Sequence, residues 1–216
     1  LQTVAPRNDW SKQACPWLSA RKVHIGHYAA IAMSVSFSGE LAWELHVPNE
    51  ALQGVYKQIV EAGKDFGLAQ FGLYAAEAMR MEKGYMHWKA DLITEFNPFE
   101  TGLDRFVKMD KEFIGKAGLE SMVSSGKRRQ FVSLTLDSRE APAHPGDSIM
   151  SGGKVIGTIT SAAWGYRVEK NLAMGFVDPP HSSIGDKVQV DVLGDLVEAS
   201  VIEPCVYDPD TTLPRS

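Results

Sequence analysis

The sequence contains little cysteine, no excess of positive charge and no long apolar run. Its 216 residues include only two cysteines, Cys15 and Cys205, which are far apart and outside any metal-ligand pattern. We therefore expect reduced thiols in an intracellular protein. The formal net charge is −5, which argues against a nucleic-acid partner. No apolar stretch reaches the roughly 20 residues of a transmembrane helix, so we expect no membrane partner and a cytoplasmic location.

Motifs of several enzyme classes are also missing. There is no Gly-rich loop of the dinucleotide-binding or P-loop type, so this chain should not itself hold a flavin or ATP. There is no Gly-x-Ser-x-Gly elbow. His24 and His27 are three residues apart, but no cysteine or acid nearby completes a metal site, and no metal is expected.

The first half of the chain begins with the alternation of a β-hairpin. Apolar residues occupy every second position from 31 to 37 and from 41 to 47, and Ser38-Gly39-Glu40 predicts a tight turn between the two runs. Glu44 lies on the face opposite the apolar stripe of the second run. On this pattern alone, that face is solvated and Glu44 is an exposed strand acid.

Two helices should cover this hairpin. Asn49 is a good N-cap for an amphipathic helix that ends at Gly63 or Gly67. A shorter and more uniformly apolar helix runs from Leu73 to Lys83, and a strand follows at residues 105–109. These elements predict an α+β fold in which an antiparallel sheet is covered by helices.

The second helix carries charges that need partners. Glu77 and Arg80 are three residues apart and can pair on one face. Gly84 is suited to the left-handed conformation that ends a helix. The simplest interpretation of this segment is a buried helix with internal ion pairs, because an unpaired buried charge is costly.

The second half predicts a small all-β domain. A short helix at residues 115–126 runs into a Ser-Ser-Gly linker, after which Gly152-Gly153 and Gly194-Asp195 are typical of hairpin turns. The predicted strands cover residues 131–136, 154–160, 172–177, 187–192 and 196–202. Short strands with regular turns favour a small barrel or sandwich.

Four motifs in order resemble the folate-binding aminomethyltransferase family. They are Leu-Tyr-Ala-Ala-Glu-Ala-Met-Arg-Met-Glu-Lys-Gly-Tyr at 73–85, His87-Trp88, Asn-Pro-Phe-Glu-Thr-Gly-Leu at 97–103 and Phe-Ile-Gly-Lys at 113–116. The family contains the glycine cleavage T-protein and the C-terminal halves of dimethylglycine and sarcosine dehydrogenases. The Glu-Lys-Gly-Tyr and His-Trp pairs are more similar to the dehydrogenase branch.

The resemblance implies three regions. Residues 31–124 would form the ferredoxin-like middle domain of the T-protein fold, which holds the folate site, and residues 125–216 its C-terminal β-barrel. Residues 1–30 would be the end of a first domain that lies mostly upstream, because residues 14–18 resemble the segment that closes that domain. The alternative is an N-terminal arm that packs its tryptophans.

The resemblance also implies candidate cofactor-binding residues: Glu44, Phe37, Tyr74 and Arg80. The family's pterin-binding glutamate falls on Glu44, and one carboxylate can accept both the ring N–H and the exocyclic amino group of a pterin. The family's tyrosine falls on Phe37, which keeps the ring and lacks the hydroxyl. Arg80 matches a helix arginine that is either a folate ligand or structural.

Two departures from the family pattern concern the folate tail and catalysis. Ala76 stands where the T-protein has an arginine that helps to bind the folate, so the tail would lack that contact. The family's catalytic aspartate lies upstream of Leu1, and no residue of this chain matches it. The chain alone should therefore be incomplete for catalysis.

The expected function is tetrahydrofolate-dependent transfer of a one-carbon unit from a small aminomethyl or N-methyl donor. The resemblance implies tetrahydrofolate as cofactor, an upstream flavin-dependent dehydrogenase domain and, in a eukaryote, the mitochondrial matrix. Two alternatives remain open: a relative that demethylates a sulfonium compound, and a non-catalytic binding module that keeps the folate fold.

Overall fold

The computed structural model describes all 216 residues and divides the chain into two compact units. Unit 1 comprises residues 1–76 and 208–216, and unit 2 comprises residues 77–207. None of the helices combines the length and the apolar character needed to cross a membrane. The three regions predicted from the sequence remain a prediction.

Unit 1 is built on a three-stranded antiparallel sheet in the order β1-β2-β3. The strands are β1 (Ala20–Ile25), β2 (Tyr28–Met33) and β3 (Glu44–His46), and the helix α1 (Asn49–Gly63) follows them. The core between sheet and helix contains Ala5, Val23, Ile25, Ala30, Ala32, Ala51 and Val55. A sheet with one helix-covered face confirms the predicted α+β architecture.

The hairpin prediction was right in its pairing and wrong in its details. β2 pairs with β3, but a loop over residues 34–43 joins them in place of the tight turn at 38–40. β1 was not predicted, although it pairs with β2 along its whole length. The cap of α1 was also wrong, since Pro48 holds the cap position and makes no side-chain hydrogen bond.

The inward face of β2 is the opposite of the predicted one. Ala30 is 6% exposed and Ala32 is 1% exposed, whereas Ile31 is 44% exposed. Tyr28 also lies on this face, and α1 packs closely against it: a Cβ added to Gly54 of α1 would lie 2.6 Å from the hydroxyl of Tyr28. Packing against α1 therefore determines which side chains of β2 face the core, and Ile31 and Met33 lie on the outer face.

Unit 2 contains a closed six-stranded barrel in the order β4-β7-β6-β5-β8-β9. The strands are β4 (Gln130–Leu136), β5 (Ser148–Ser151), β6 (Lys154–Gly165), β7 (Lys170–Val177), β8 (Lys187–Val192) and β9 (Asp195–Ile202). The predicted barrel is confirmed, with β5 as an additional strand. The helices are the last six residues of α2 (Leu73–Glu82) and α3 (Lys116–Ser124).

One predicted strand of unit 2 is wrong. The alternating segment 105–109 forms a short 3-10 turn, Asp104–Phe106, followed by irregular chain. Phe106 is 67% exposed. A strand needs a neighbour to complete its backbone hydrogen bonds, and the closed barrel offers no free edge to this segment.

Candidate functional site

Glu44 lies at the start of β3, on the outer face of the sheet of unit 1. It pairs in register with Met33, and His46 pairs with Ile31 on the same face. The Glu44 carboxylate lies 3.3 Å from Nε2 of the His46 ring, and the Glu44 side chain is 56% exposed. The carboxylate is therefore accessible, as either a pterin-binding residue or a solvated strand acid would be.

Phe37 and Tyr74, the two predicted aromatic ligands, occupy different settings in unit 1. Phe37 is 38% exposed and lies in the loop that leads from β2 to β3. Tyr74 is 94% exposed in the first turn of α2. The N-terminal turn of α2 is thus open to solvent, which corrects the expectation of a helix buried along its length.

Arg80, on the same helix, is buried in unit 2 and surrounded by acceptors. Its Nε donates to Glu77 at 2.8 Å, and this confirms the pair predicted from their spacing. Its Nη1 donates to the Tyr85 carbonyl at 3.0 Å and to Asp91 at 2.9 Å, and its Nη2 donates to Ser161 at 2.8 Å. With 3% exposure, Arg80 binds the helix to β6, so the geometry favours the structural role.

Asp91 is the central acceptor of this buried group. It is fully buried, and its Oδ1 accepts hydrogen bonds from the hydroxyls of Thr160 at 2.5 Å and Ser161 at 2.7 Å. Its Oδ2 accepts one from the His87 amide at 2.7 Å. These three hydrogen bonds and the Arg80 guanidinium compensate the Asp91 carboxylate for its loss of contact with water. Asp91 thus fixes the 85–91 segment to the barrel.

A second buried acid, Glu82, has a similar role. Its carboxylate accepts from the Arg167 amide at 2.6 Å and pairs with the Arg167 guanidinium. Arg167 also donates to the Met79 carbonyl at 2.8 Å and stacks on the ring of Tyr207 at 3.8 Å. The Glu82 side chain is 1% exposed, so it holds the β6–β7 turn against α2.

Glu100, in the Asn-Pro-Phe-Glu motif, is the third buried acid. Its carboxylate accepts from the amides of Asn97 at 3.0 Å and Arg128 at 3.1 Å and pairs with the Arg128 side chain at 3.3 Å. Burial alone would raise the pKa of Glu100, but these hydrogen bonds and the positive charge of Arg128 outweigh it and hold the pKa below its ordinary value. Glu100 fixes the loop before α3 to the start of β4.

An apolar groove in unit 2 was not anticipated from the sequence. It has a volume of about 480 Å³ and is lined in part by Trp88, Leu92, Phe96 and Leu103. The Trp88 indole is 70% exposed. Phe96 is fixed by stacking on Phe176, with ring centroids 3.7 Å apart. The aromatic run after Gly84 is the sequence feature that could have indicated it.

Two family models match the chain in sequence. The GCVT N-terminal domain matches residues 1–111, and the glycine cleavage T-protein C-terminal barrel domain matches residues 129–208. The second match coincides with the closed barrel of unit 2.

Similar proteins carry the names of enzymes. The mitochondrial dimethylglycine dehydrogenase of Mus musculus is 35% identical over 92% of this chain and 23% of that protein. An aminomethyltransferase of Caldanaerobacter subterraneus subsp. tengcongensis is 29% identical over 86% of this chain and 50% of that protein. The chain thus spans half the length of this relative and about a quarter of the other.

A solved structure shows the same fold. The aminomethyltransferase T of the glycine cleavage system from Bartonella henselae superposes with a TM-score of 0.75 and 22% identity, over 83% of this chain and 50% of that one. Because the first family model covers more than half of the chain and the second covers the barrel, the chain belongs to the glycine cleavage T-protein, or aminomethyltransferase, family.

Proposed function

We propose that this chain forms the folate-binding part of an enzyme that transfers a one-carbon unit from an aminomethyl or N-methyl donor to tetrahydrofolate. The observation that carries the proposal is the accessible carboxylate of Glu44, at the position that resembles the family's pterin-binding glutamate. The names of the relatives, aminomethyltransferase and dimethylglycine dehydrogenase, support the same chemistry.

Glu44 differs from the three buried acids of unit 2. Glu82, Asp91 and Glu100 are at most 1% exposed and are surrounded by donors from the protein. The Glu44 carboxylate has one histidine partner and open surface. A pterin presents a ring N–H beside an exocyclic amino group, and a free carboxylate accepts both in a bidentate arrangement. The Glu44 carboxylate is accessible to such a ligand, whereas the carboxylates of the three buried acids already accept hydrogen bonds from the protein.

The donor and the compartment follow from the dehydrogenase branch. We propose that a flavin-dependent dehydrogenase domain on the same polypeptide oxidises an N-methyl amine and passes the one-carbon unit to this chain. The catalytic acid would come from the preceding half of the fold. In a eukaryote we place the enzyme in the mitochondrial matrix, in line with the mitochondrial relatives, and in a bacterium in the cytoplasm.

The test is tetrahydrofolate binding by calorimetry to the wild-type protein and to Glu44→Gln. The substitution keeps the shape, removes the charge and presents an amide donor to a ligand that also donates. Since a hydrogen bond to a charged group is worth about 1.5–3 kcal/mol, binding should weaken by about tenfold or more.

Glu50→Gln is the matched control, because Glu50 is an exposed acid in the first turn of α1. It should bind folate as the wild type does, and thermal melting should show both variants folded. Equal affinities for wild type and Glu44→Gln would identify Glu44 as a solvated strand acid. A wild-type protein that binds no folate would refute the proposed function of this chain.

A further inference from the structure

A basic cavity lies in unit 1, beside the turn between β1 and β2. It has a volume of about 700 Å³ and is lined by Val4, Pro6, Arg7, Asn8, His24, Gly26 and His27. Its ionisable side chains are Arg7, His24 and His27, and no carboxylate is among the lining residues. In a protein whose net charge is −5, a site that offers the Arg7 guanidinium and two imidazoles but no carboxylate favours an anionic ligand.

The fold does not use these three side chains. Arg7, His24 and His27 are exposed, and none of them forms an ion pair or a side-chain hydrogen bond with another residue. Arg21 of β1 provides a contrast, since its guanidinium donates to the Asp9 carbonyl at 2.6 Å. The donors of the cavity are therefore available to a ligand.

The segment that carries Arg7 is held in place, so the cavity is preformed. Ala5 is 1% exposed and belongs to the core of unit 1. The amide of Gly26, at the β1–β2 turn, donates to the Val4 carbonyl at 3.2 Å. A ligand that binds here does not have to order the arm, and this lowers the entropic cost of binding.

The cavity reaches the outer face of the sheet, the face that carries Glu44, at His24. His24 pairs with Ala29, and Met33 on the same strand pairs with Glu44. Ala29 and Met33 are four residues apart, which corresponds to about 13 Å along a strand. Ile31, which is 44% exposed, lies between them on the same face. From one end to the other, this face therefore offers a carboxylate, a middle part formed by Ile31 and its exposed neighbour Lys22, and a cavity that contains Arg7 and two imidazoles.

We propose that the cavity binds the glutamate carboxylates of a folate whose pterin is bound by Glu44. This inference rests on the proposed function. A folate has hydrogen-bond donors on its pterin ring, an aromatic ring in its middle and carboxylates at its other end, which is the order that the face complements. The cavity would also supply the positive charge that Ala76 does not provide.

The test compares two probes on the full 216-residue chain: tetrahydrofolate, and tetrahydropteroate, which lacks the glutamate. Binding is measured for wild type, Arg7→Gln and Arg7→Gln/His24→Gln. Lys57→Gln is the control, because Lys57 is an exposed cation on α1 that does not line the cavity. Circular dichroism and melting temperature verify folding.

Wild type should bind tetrahydrofolate more tightly than tetrahydropteroate, and added salt should reduce the difference. Arg7→Gln should weaken tetrahydrofolate binding about three- to fivefold, as expected for an exposed ion pair, and leave tetrahydropteroate binding unchanged. The double variant should weaken tetrahydrofolate binding further, and Lys57→Gln should bind both probes as the wild type does.

Two results would overturn the inference in different ways. If tetrahydrofolate binds and Glu44→Gln weakens it, but the cavity variants do not, the glutamate lies elsewhere while the proposed function stands. If neither probe binds wild type, the proposed function fails and the inference fails with it.

Discussion

Replacing Arg80 with leucine should strongly destabilise unit 2. The Arg80 and Asp91 side chains are 3% and 0% exposed, and their charged atoms lie 2.9 Å apart. The substitution leaves the Asp91 carboxylate buried with its hydrogen-bond donors but without a counter-charge. Removing one partner of a buried pair costs about 3–5 kcal/mol. The free energy of unfolding of a whole domain is only about 5–15 kcal/mol, so the loss should be easy to measure.

Hydrogen exchange read by mass spectrometry is the appropriate assay, because it reports on unit 2 separately. The chain has two units, so a single whole-chain melting curve need not describe a two-state transition. Amides of β6, β7 and the C-terminal half of α2 should exchange faster in Arg80→Leu. A loss of about 3 kcal/mol corresponds to an increase of at least about 100-fold in rate wherever exchange requires unfolding.

Arg105→Leu is the control for removing a positive charge. Arg105 is exposed, and its guanidinium contacts only the neighbouring Phe106 ring, at 4.8 Å. Its loss should change the free energy of unfolding by no more than about 0.5 kcal/mol. If Arg80→Leu stayed within about 1 kcal/mol of wild type, Asp91 would not depend on a counter-charge, and the role given to Arg80 would be wrong.

Two further predictions concern the loops of unit 2. Because the pKa of Glu100 lies below its ordinary value of 4.5, its stabilising effect is complete above the pKa of the unfolded chain and is lost as the pH falls through the folded pKa. Glu100→Gln should therefore reduce the urea midpoint near neutral pH and progressively less below about pH 4.5, and a difference that did not vary with pH would contradict this. Gly84 has a φ of +70°, and an added Cβ would lie 2.3 Å from the Pro204 carbonyl oxygen. Gly84→Ala should therefore reduce the stability of unit 2, measured by hydrogen exchange, by at least about 1–2 kcal/mol. Gly118→Ala, where no atom lies within 4 Å, should be neutral or stabilising by up to about 1 kcal/mol, and equal losses in the two variants would refute the steric argument.

The sequence was most informative where two strands that follow each other in the chain are joined by a short turn and pair with each other. β8 has the predicted limits, residues 187–192, and its partner β9 begins one residue before the predicted position. A two-residue glycine turn fixes such a hairpin without reference to the rest of the fold. β5 was missed because it has only four residues, Ser148–Ser151, too few for a clear alternation.

The prediction failed where contacts with distant segments determine which side chains are buried and which residues they bind. In β2 the larger side chains Ile31 and Met33 suggested the core face, but Ala30 and Ala32 are the residues that pack into the core with α1. The partners of Arg80 could not be inferred either. Ser161 lies 81 residues away in the sequence, and no periodicity links positions so distant.

The motif that carries the family resemblance serves the fold more than the ligand. In Glu-Lys-Gly-Tyr, Glu82 binds the β6–β7 turn, Lys83 donates to the Tyr207 carbonyl at 3.3 Å, and Gly84 allows the close approach of Pro204. A chain that kept these residues would keep the fold whether or not it bound folate. Retention of the motif is therefore evidence for architecture, and the case for folate depends on the outer face of the sheet in unit 1. There Glu44 has an accessible carboxylate, and the structure assigns it no task that a glutamine could not perform.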